Sequence, residues 1–285
     1  MTHSHLPARD AFVARHPEVR HVINGRDWGA IRTGDSGPAL ILIPGTLGRA
    51  DIFWQQIEAL DGRARILALS YPGSGGIADW AEDVAGLIKA QNLEGAVVLG
   101  SSLGGYLAQY LTATQPDLVS GLVAANTLAS VTGIEQMPPY SLDLIQTPID
   151  DLRAGFSTGL ATWTTPDHPN ALLAELLLQE VAARIPEAEL RARLNALKTG
   201  PEIPRQQLSA EAIHIVESGD DHLISPPMQA ALRGALPGSR CFHLTWGSHF
   251  PYVTRPMEYT ALLEEVLNLA PTTAVTWPKG QDVRL

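Results

Sequence analysis

The stretch of this sequence best suited to chemistry is Gly100-Ser101-Ser102-Leu103-Gly104. An apolar run, Ala96-Val97-Val98-Leu99, precedes it, and a helix-like stretch from Leu103 to Thr114 follows. A strand, a sharp turn and a helix around G-x-S-x-G hold a serine in a strained backbone conformation, with its Oγ exposed above the sheet. Glycine is needed at both flanks, where strand and helix pack too closely for a side chain. Ser102 is therefore the candidate nucleophile. Gly155-Phe156-Ser157-Thr158-Gly159 repeats the pattern, but polar Asp150-Asp151-Leu152-Arg153 precedes it. Without a strand there is no elbow, and Ser157 reads as a loop or helix-cap residue.

A serine hydroxyl is a weak nucleophile at neutral pH and needs a base within hydrogen-bond reach. The strand-like run Ile213 to Val216 leads into Glu217-Ser218-Gly219-Asp220-Asp221-His222. The next, Arg240 to Leu244, leads into Trp246-Gly247-Ser248-His249. A carboxylate and an imidazole just past the ends of neighbouring strands share a rim with the elbow. His249 would take the Ser102 proton and deliver it to a leaving group, and Asp220 or Asp221 would orient the ring and stabilise the imidazolium. His222 follows the acid too closely to face it, and His243 lies inside a strand, so both read as structural.

These residues need a rigid support, and the chain supplies the pattern of one. Short apolar runs alternate with helical stretches, which favours a largely parallel α/β sheet. Val19 to Ile23 and Trp28 to Thr33 flank Asn24-Gly25, a hairpin signal. Ala39 to Ile43 is continuously apolar, as expected of a strand covered on both faces. Asp51 is the expected N-cap of a helix through Leu60. Ala64 to Ser70 and Leu122 to Ala125 read as strands, and Asp79 to Ala90, Pro227 to Leu236 and Pro256 to Leu269 as helices.

About 85 residues from Thr127 to Ala210 carry no strand pattern, far more than an ordinary connection. They contain two helical stretches, Asn170 to Arg184 and Glu187 to Lys198. We read residues 19–126 and 211–270 as the core domain, 127–210 as a helical cap, 1–18 as an N-terminal extension and 271–285 as a loosely packed tail.

Bulk properties narrow the function. The chain has 285 residues, 45% of them hydrophobic and 18% charged, enough for a substantial core. A formal net charge of −10 argues against a nucleic-acid partner, which calls for clustered Lys and Arg. Met1 to Arg20 has no apolar core of signal-peptide length, and no apolar run is long enough to span a membrane. The expectation is a cytoplasmic protein. Cys241, the one cysteine, reads as a buried apolar residue. No metal-ligand pattern is present, and no cofactor is implied.

With elbow, acid and histidine identified, the chain resembles the α/β-hydrolase superfamily over essentially Val19 to Leu269. The resemblance implies the order Ser, Asp, His. It favours Asp221 over Asp220, because Asp221-His222-Leu223-Ile224-Ser225 matches the D-P-I-V-P loop of these enzymes. It also implies an oxyanion hole built from two backbone N–H groups. One belongs to Leu103; the other lies after Ala39 to Ile43, where Pro44-Gly45 replaces the usual His-Gly. Thr46 is then the donor and Leu47 the runner-up. Gly73-Ser74-Gly75-Gly76-Ile77-Ala78 fits a dinucleotide fingerprint, but the next strand runs into the elbow instead of ending in an acidic residue. It reads as a glycine-rich rim loop.

Within the superfamily, four stretches are similar to maspardin-like proteins. They are Gly45-Thr46 with Ala50 to Phe53, Ile66 to Pro72, Gly100 to Gln109, and Phe250-Pro251-Tyr252. Maspardins share the elbow serine but lack the histidine that stands here as His249, and they are regarded as non-catalytic binding proteins. The chain departs from them in the direction of activity. The leading expectation is a cofactor-independent serine hydrolase cleaving a small carboxylic ester, thioester or lactone through an acyl-enzyme. A binding or adaptor protein, and C–C bond hydrolysis or perhydrolysis with the same residues, are the alternatives. Phe156, Trp163 and Leu172 to Leu178 suit an apolar cap lining or ordinary core packing equally. Pairing of two copies into a homodimer is left open.

Overall fold

A computed structural model describes residues 4–165 and 167–285. The elements run α1 (His5–Arg15), β1 (Val19–Ile23), β2 (Arg26–Thr33), β3 (Ala39–Ile43), α2 (Trp54–Leu60), β4 (Arg65–Ser70), α3 (Ile77–Ala90), β5 (Ala96–Ser101), α4 (Leu103–Thr114) and β6 (Val119–Ala125). They continue α5 (Ile149–Ala161), α6 (Ala171–Gln179), α7 (Glu187–Lys198), β7 (Ile213–Ser218), α8 (Pro226–Ala235), β8 (Arg240–Leu244), α9 (Pro251–Thr254), α10 (Pro256–Val266) and β9 (Asp282–Arg284).

The nine strands form one sheet in the order β1-β2-β4-β3-β5-β6-β7-β8-β9. The β1–β2 and β2–β4 pairs are antiparallel, and every pairing from β4–β3 to β8–β9 is parallel. Asn24 and Gly25, at φ 50° and 78°, make the two-residue hairpin between β1 and β2. Because β3 and β5–β8 point the same way, the loops leaving their carboxyl ends crowd one rim. Helices cover both faces. Side chains of α3, α4 and α8 pack on one face, those of α1, α2, α5, α6 and α10 join the core on the other, and α7 contributes to both. That burial explains why β3 and β5 are apolar without alternation. Among the described residues no helix is long and apolar enough to cross a membrane.

Four local expectations are corrected. Asp51 is not a helix N-cap: it sits inside a short turn of helix ahead of α2, and its carboxylate is buried and paired with Arg184 at 2.6 Å. Ser157 lies in the middle of α5, not in a loop or cap. The helix starting near Asn170 ends at Gln179, and Glu180–Arg184 is a wider π-type turn. The tail is docked. Trp277 is buried against Phe242, and residues 282–284 add the edge strand β9. Residues ahead of Val19 also carry structure, because Arg9 of α1 is buried on Glu180 at 2.8 Å.

The helix α4 lies so close to the sheet that two glycines are obligatory. A Cβ on Gly104 would stand 2.2 Å from the Ile43 carbonyl oxygen, and one on Gly100 would stand 1.9 Å from that of Gly104. Gly159 in α5 has open space around it instead. Gly104→Ala should therefore lower stability by about 2–4 kcal/mol. Gly159→Ala should raise it by roughly 0.5–1 kcal/mol, because alanine favours helix. Chemical denaturation of the two variants checks both signs.

Glu264 anchors the tail by accepting the Thr272 N–H at 3.0 Å and the Arg63 guanidinium at 2.6 Å. Burial opposes its ionisation, but Thr272 and Arg63 outweigh burial and hold its pKa below the ordinary glutamate value. A depressed carboxylate stabilises the folded state above its unfolded pKa of about 4.3 and loses that contribution as pH falls further. Limited proteolysis should find the tail intact near neutrality and cleaved on acidification below about pH 4. In Glu264→Gln, cleavage should already occur near neutrality.

Candidate active site

Ser102 links β5 to α4 at φ 54° and ψ −119°, a conformation side chains rarely adopt. The Ser102 N–H donates to the Ala125 carbonyl at 3.0 Å, and the Thr127 hydroxyl donates to the Ser102 carbonyl at 2.7 Å. Both partners come from the end of β6, so the elbow is fixed by the neighbouring strand as well as its own helix.

The loop after β3 faces it. A Cβ on Gly45 would stand 3.1 Å from the Ser102 Cβ and 3.8 Å from its Oγ. Every carbonyl from Pro44 to Thr46 is taken: Pro44 by the Tyr71 hydroxyl at 2.7 Å, Gly45 by the Gly48 N–H at 3.0 Å, and Thr46 by Arg193 at 2.9 Å. Neither the Thr46 nor the Leu103 N–H has an acceptor among the described residues. Tyr140 packs against Thr46, and burial raises its pKa to about 12.

The two aspartates after β7 take different parts. The Asp221 carboxylate meets the His249 Nδ1 at 2.8 Å, and both residues are buried. Asp221 also accepts the N–H groups of Leu223 at 2.9 Å and Ile224 at 3.0 Å, and the Asn126 amide at 2.9 Å. Burial disfavours its charge, but His249, Asn126 and the Ile224 N–H prevail, so its pKa lies below the ordinary value. Because an ionised carboxylate only accepts, the His249 Nδ1 donates to it, and in the neutral ring Nε2 is then the acceptor. Asp220 instead accepts the N–H groups of Gly247 at 2.9 Å and Ser248 at 2.8 Å, clamping the loop that carries His249.

No hydrogen bond joins Ser102 Oγ to the imidazole among the described residues. Such contacts are often long before substrate arrives. His222 turns from the site onto the Trp163 ring, 5.0 Å away, and His243 meets Glu217 at 3.1 Å. Phe156, Trp163 and Leu178 are half-buried against the core, and Leu173, Leu176 and Leu177 lie within it. The Gly73 to Ala78 loop is filled by its own surroundings. The Trp80 indole donates to the Ser74 carbonyl at 2.8 Å, and a Cβ on Gly73 would meet Ala188 at 3.0 Å. The Cys241 thiol is buried, and its pKa is pushed up to about 12, principally by that burial.

Sequence reading passed over two residues of this site. Asn126 ends β6, and its Nδ2 lies within 3.4 Å of Asp221, the Ser218 hydroxyl and the Ser248 carbonyl. Its position at a strand end on the same rim was the available signal. Arg193 shares a helix face with Leu190, Leu194 and Leu197, and a cation on an apolar stripe was the corresponding signal.

Maspardin from Danio rerio is 23% identical over 275 residues, covering 90% of this chain and 85% of that protein. Among solved structures, a thermophilic esterase from Thermogutta terrifontis superposes with a TM-score of 0.74 at 19% identity, covering 88% of this chain and 98% of the other. The enol-lactonase from Burkholderia xenovorans LB400 gives 0.73 at 18% identity, covering 88% and 100%. At these identities the superpositions establish the shared fold. The model of the alpha/beta hydrolase family matches residues 40–262, from β3 into α10, and the chain belongs to that family.

Proposed function

We propose that the protein is a cofactor-independent serine hydrolase that cleaves a small carboxylic ester, thioester or lactone. The observation that carries this reading is a buried Asp221–His249 pair set on the rim that holds a strained Ser102. His249 Nε2 removes the Ser102 proton as Oγ attacks the acyl carbon. The C=O π electrons move onto oxygen, and the Thr46 and Leu103 N–H groups stabilise the resulting oxyanion. His249 returns the proton to the leaving alkoxide or thiolate as that bond breaks, leaving an acyl-Ser102. Water, deprotonated by His249, then releases the acid and regenerates the serine. Asp221 holds the imidazole tautomer throughout.

Residues 127–210 form the cap in this reading and cover the site. A cytoplasmic setting belongs to this reading, in which the one cysteine is a buried thiol with no partner for an internal disulfide. A second reading, a binding protein, is favoured by the maspardin similarity and by the open Ser102–His249 contact.

A fluorophosphonate probe followed by mass mapping separates the two. The hydrolase reading expects modification at Ser102 alone, and its loss in His249→Ala. Ser102→Ala and His249→Ala should each lower kcat on an activated ester by roughly 10³–10⁶-fold. An unlabelled, folded protein at high probe concentration points to the binding protein.

The geometry also ranks the acids. Asp221→Asn should lower kcat by about 10³–10⁴-fold through the wrong imidazole tautomer. Asp220→Asn and Asn126→Ala act only on the His249 loop and on Asp221, and should cost about tenfold each. Steady-state kinetics of the three variants checks the order, and a larger loss for Asp220→Asn would reverse the assignment.

A further inference from the structure

Arg193 is a wholly buried guanidinium. It comes from α7, in the segment between β6 and β7, yet its guanidinium reaches the loop after β3. One nitrogen donates to the Thr46 carbonyl at 2.9 Å and to the Gly48 carbonyl at 2.8 Å. The other pairs with Glu189 at 2.9 Å, and the Tyr71 ring lies under the guanidinium carbon at 5.0 Å. Burial pulls its pKa down, and Glu189 is the chief opposing influence.

What those two carbonyls control follows from turn geometry. The Gly48 N–H to Gly45 carbonyl bond makes residues 45–48 a β-turn, with Thr46–Leu47 as its central peptide. Turn types I and II differ chiefly by a flip of that central peptide, and the closing bond tolerates either. A peptide is planar and trans, so its carbonyl and N–H point in opposite directions. With the Thr46 carbonyl on a buried cation, a flip would aim the Leu47 N–H at the guanidinium and send the carbonyl oxygen to the opposite side. Arg193 makes that flip costly. The Thr46 N–H lies on the preceding peptide, whose Gly45 carbonyl is held by the Gly48 N–H, so keeping the central peptide in place keeps the turn that presents this N–H. Together with the Tyr71 hydroxyl on Pro44, Arg193 fixes the loop from both ends beside Ser102.

We propose that Arg193 is a positioning residue for the oxyanion loop, acting through its own hydrogen bonds to the Thr46 and Gly48 carbonyls. The proposal rests on the hydrolase reading. It assigns Arg193 no contact with substrate, so its loss should weaken transition-state stabilisation and spare ground-state binding.

The test compares Arg193→Met, Arg193→Lys and Leu197→Ala with the parent protein on a short-chain p-nitrophenyl ester. Leu197 is buried one turn further along α7 within the apolar core, so its truncation removes packing while the two Arg193 hydrogen bonds can still form. Arg193→Met should lower kcat by about 10- to 100-fold, less than outright removal of an oxyanion donor, with KM within about twofold. Inhibition by a boronic acid, which mimics the tetrahedral state, should weaken in step with kcat. Arg193→Lys should recover part of the loss, and Leu197→Ala should lower the Tm while keeping kcat. If Arg193→Met does not fold, the same split between kcat and KM in Arg193→Lys decides. Parental kcat in the Arg193 variants, or an equal kcat loss in Leu197→Ala, overturns the positioning role while leaving the hydrolase intact. A parent protein that neither turns over esters nor takes the fluorophosphonate overturns the hydrolase reading itself, and the positioning role with it.

Discussion

The approach of α4 to the sheet is the constraint from which the rest of the site follows. With Gly100 and Gly104 in contact and Gly104 against the Ile43 carbonyl, the chain has no room to leave β5 by an ordinary turn. It passes through a left-handed residue instead, and that residue is a serine. Such backbone strain costs on the order of 1–3 kcal/mol, and the surroundings must over-determine the conformation for it to persist. They do so through β6: Ala125 accepts from Ser102, and Thr127 donates to it. The strand register then carries the placement outward. The Asn126 N–H donates to the Val216 carbonyl at 2.8 Å, and its amide reaches the Asp221 carboxylate after β7. Serine, asparagine, aspartate and histidine are thus set by adjacent parallel strands, with little left to loop flexibility.

The helices between β6 and β7 are attached by apolar packing into the core and by a network of buried and partly buried ion pairs. Arg193 and Glu189 of α7 continue into Arg49, which meets Glu189 at 3.0 Å and Glu18 at 2.7 Å. Further along, Arg184 pairs with Asp51, and Arg9 of α1 with Glu180. Desolvating these ions offsets much of their attraction, so the network is a weak source of net stability. Its geometric requirement is strict, however. Each guanidinium must find its carboxylates and carbonyls or remain buried and unpaired, which is far more costly. Apolar packing alone would let α7 slide over the core, whereas these pairs fix it in register with the loop beside Ser102.

What the sequence revealed follows from how local each signal was. The elbow, the hairpin at Asn24-Gly25 and the apolar strands β3 and β5 are specified by consecutive residues whose backbone needs leave a mark. Asp221 and His249 were legible because each follows a strand pattern directly. The misreadings share a cause. Asp51 looked like a helix cap because nothing near it in sequence reveals Arg184, 133 positions away. The tail looked loose because β9 is three residues long and is held by pairing with β8, not by its own pattern. Arg193 and Asn126 act only through partners brought close by the fold, and residue type alone does not announce them.

The hydrolase and binding-protein readings differ in what each has reason to keep at a cost. A buried carboxylate is expensive, and Asp221 is retained with donors from Asn126, Leu223, Ile224 and His249 arranged around it. In the hydrolase reading the imidazole of His249, held on Asp221 through Nδ1, is the base. The strained serine lies on the same rim, beside a loop whose carbonyls are all occupied and whose Thr46 N–H is not. Each feature alone has a packing explanation. Jointly they impose strain, desolvation and loop restraint on one edge of the sheet, and the acyl transfer proposed above would use all three.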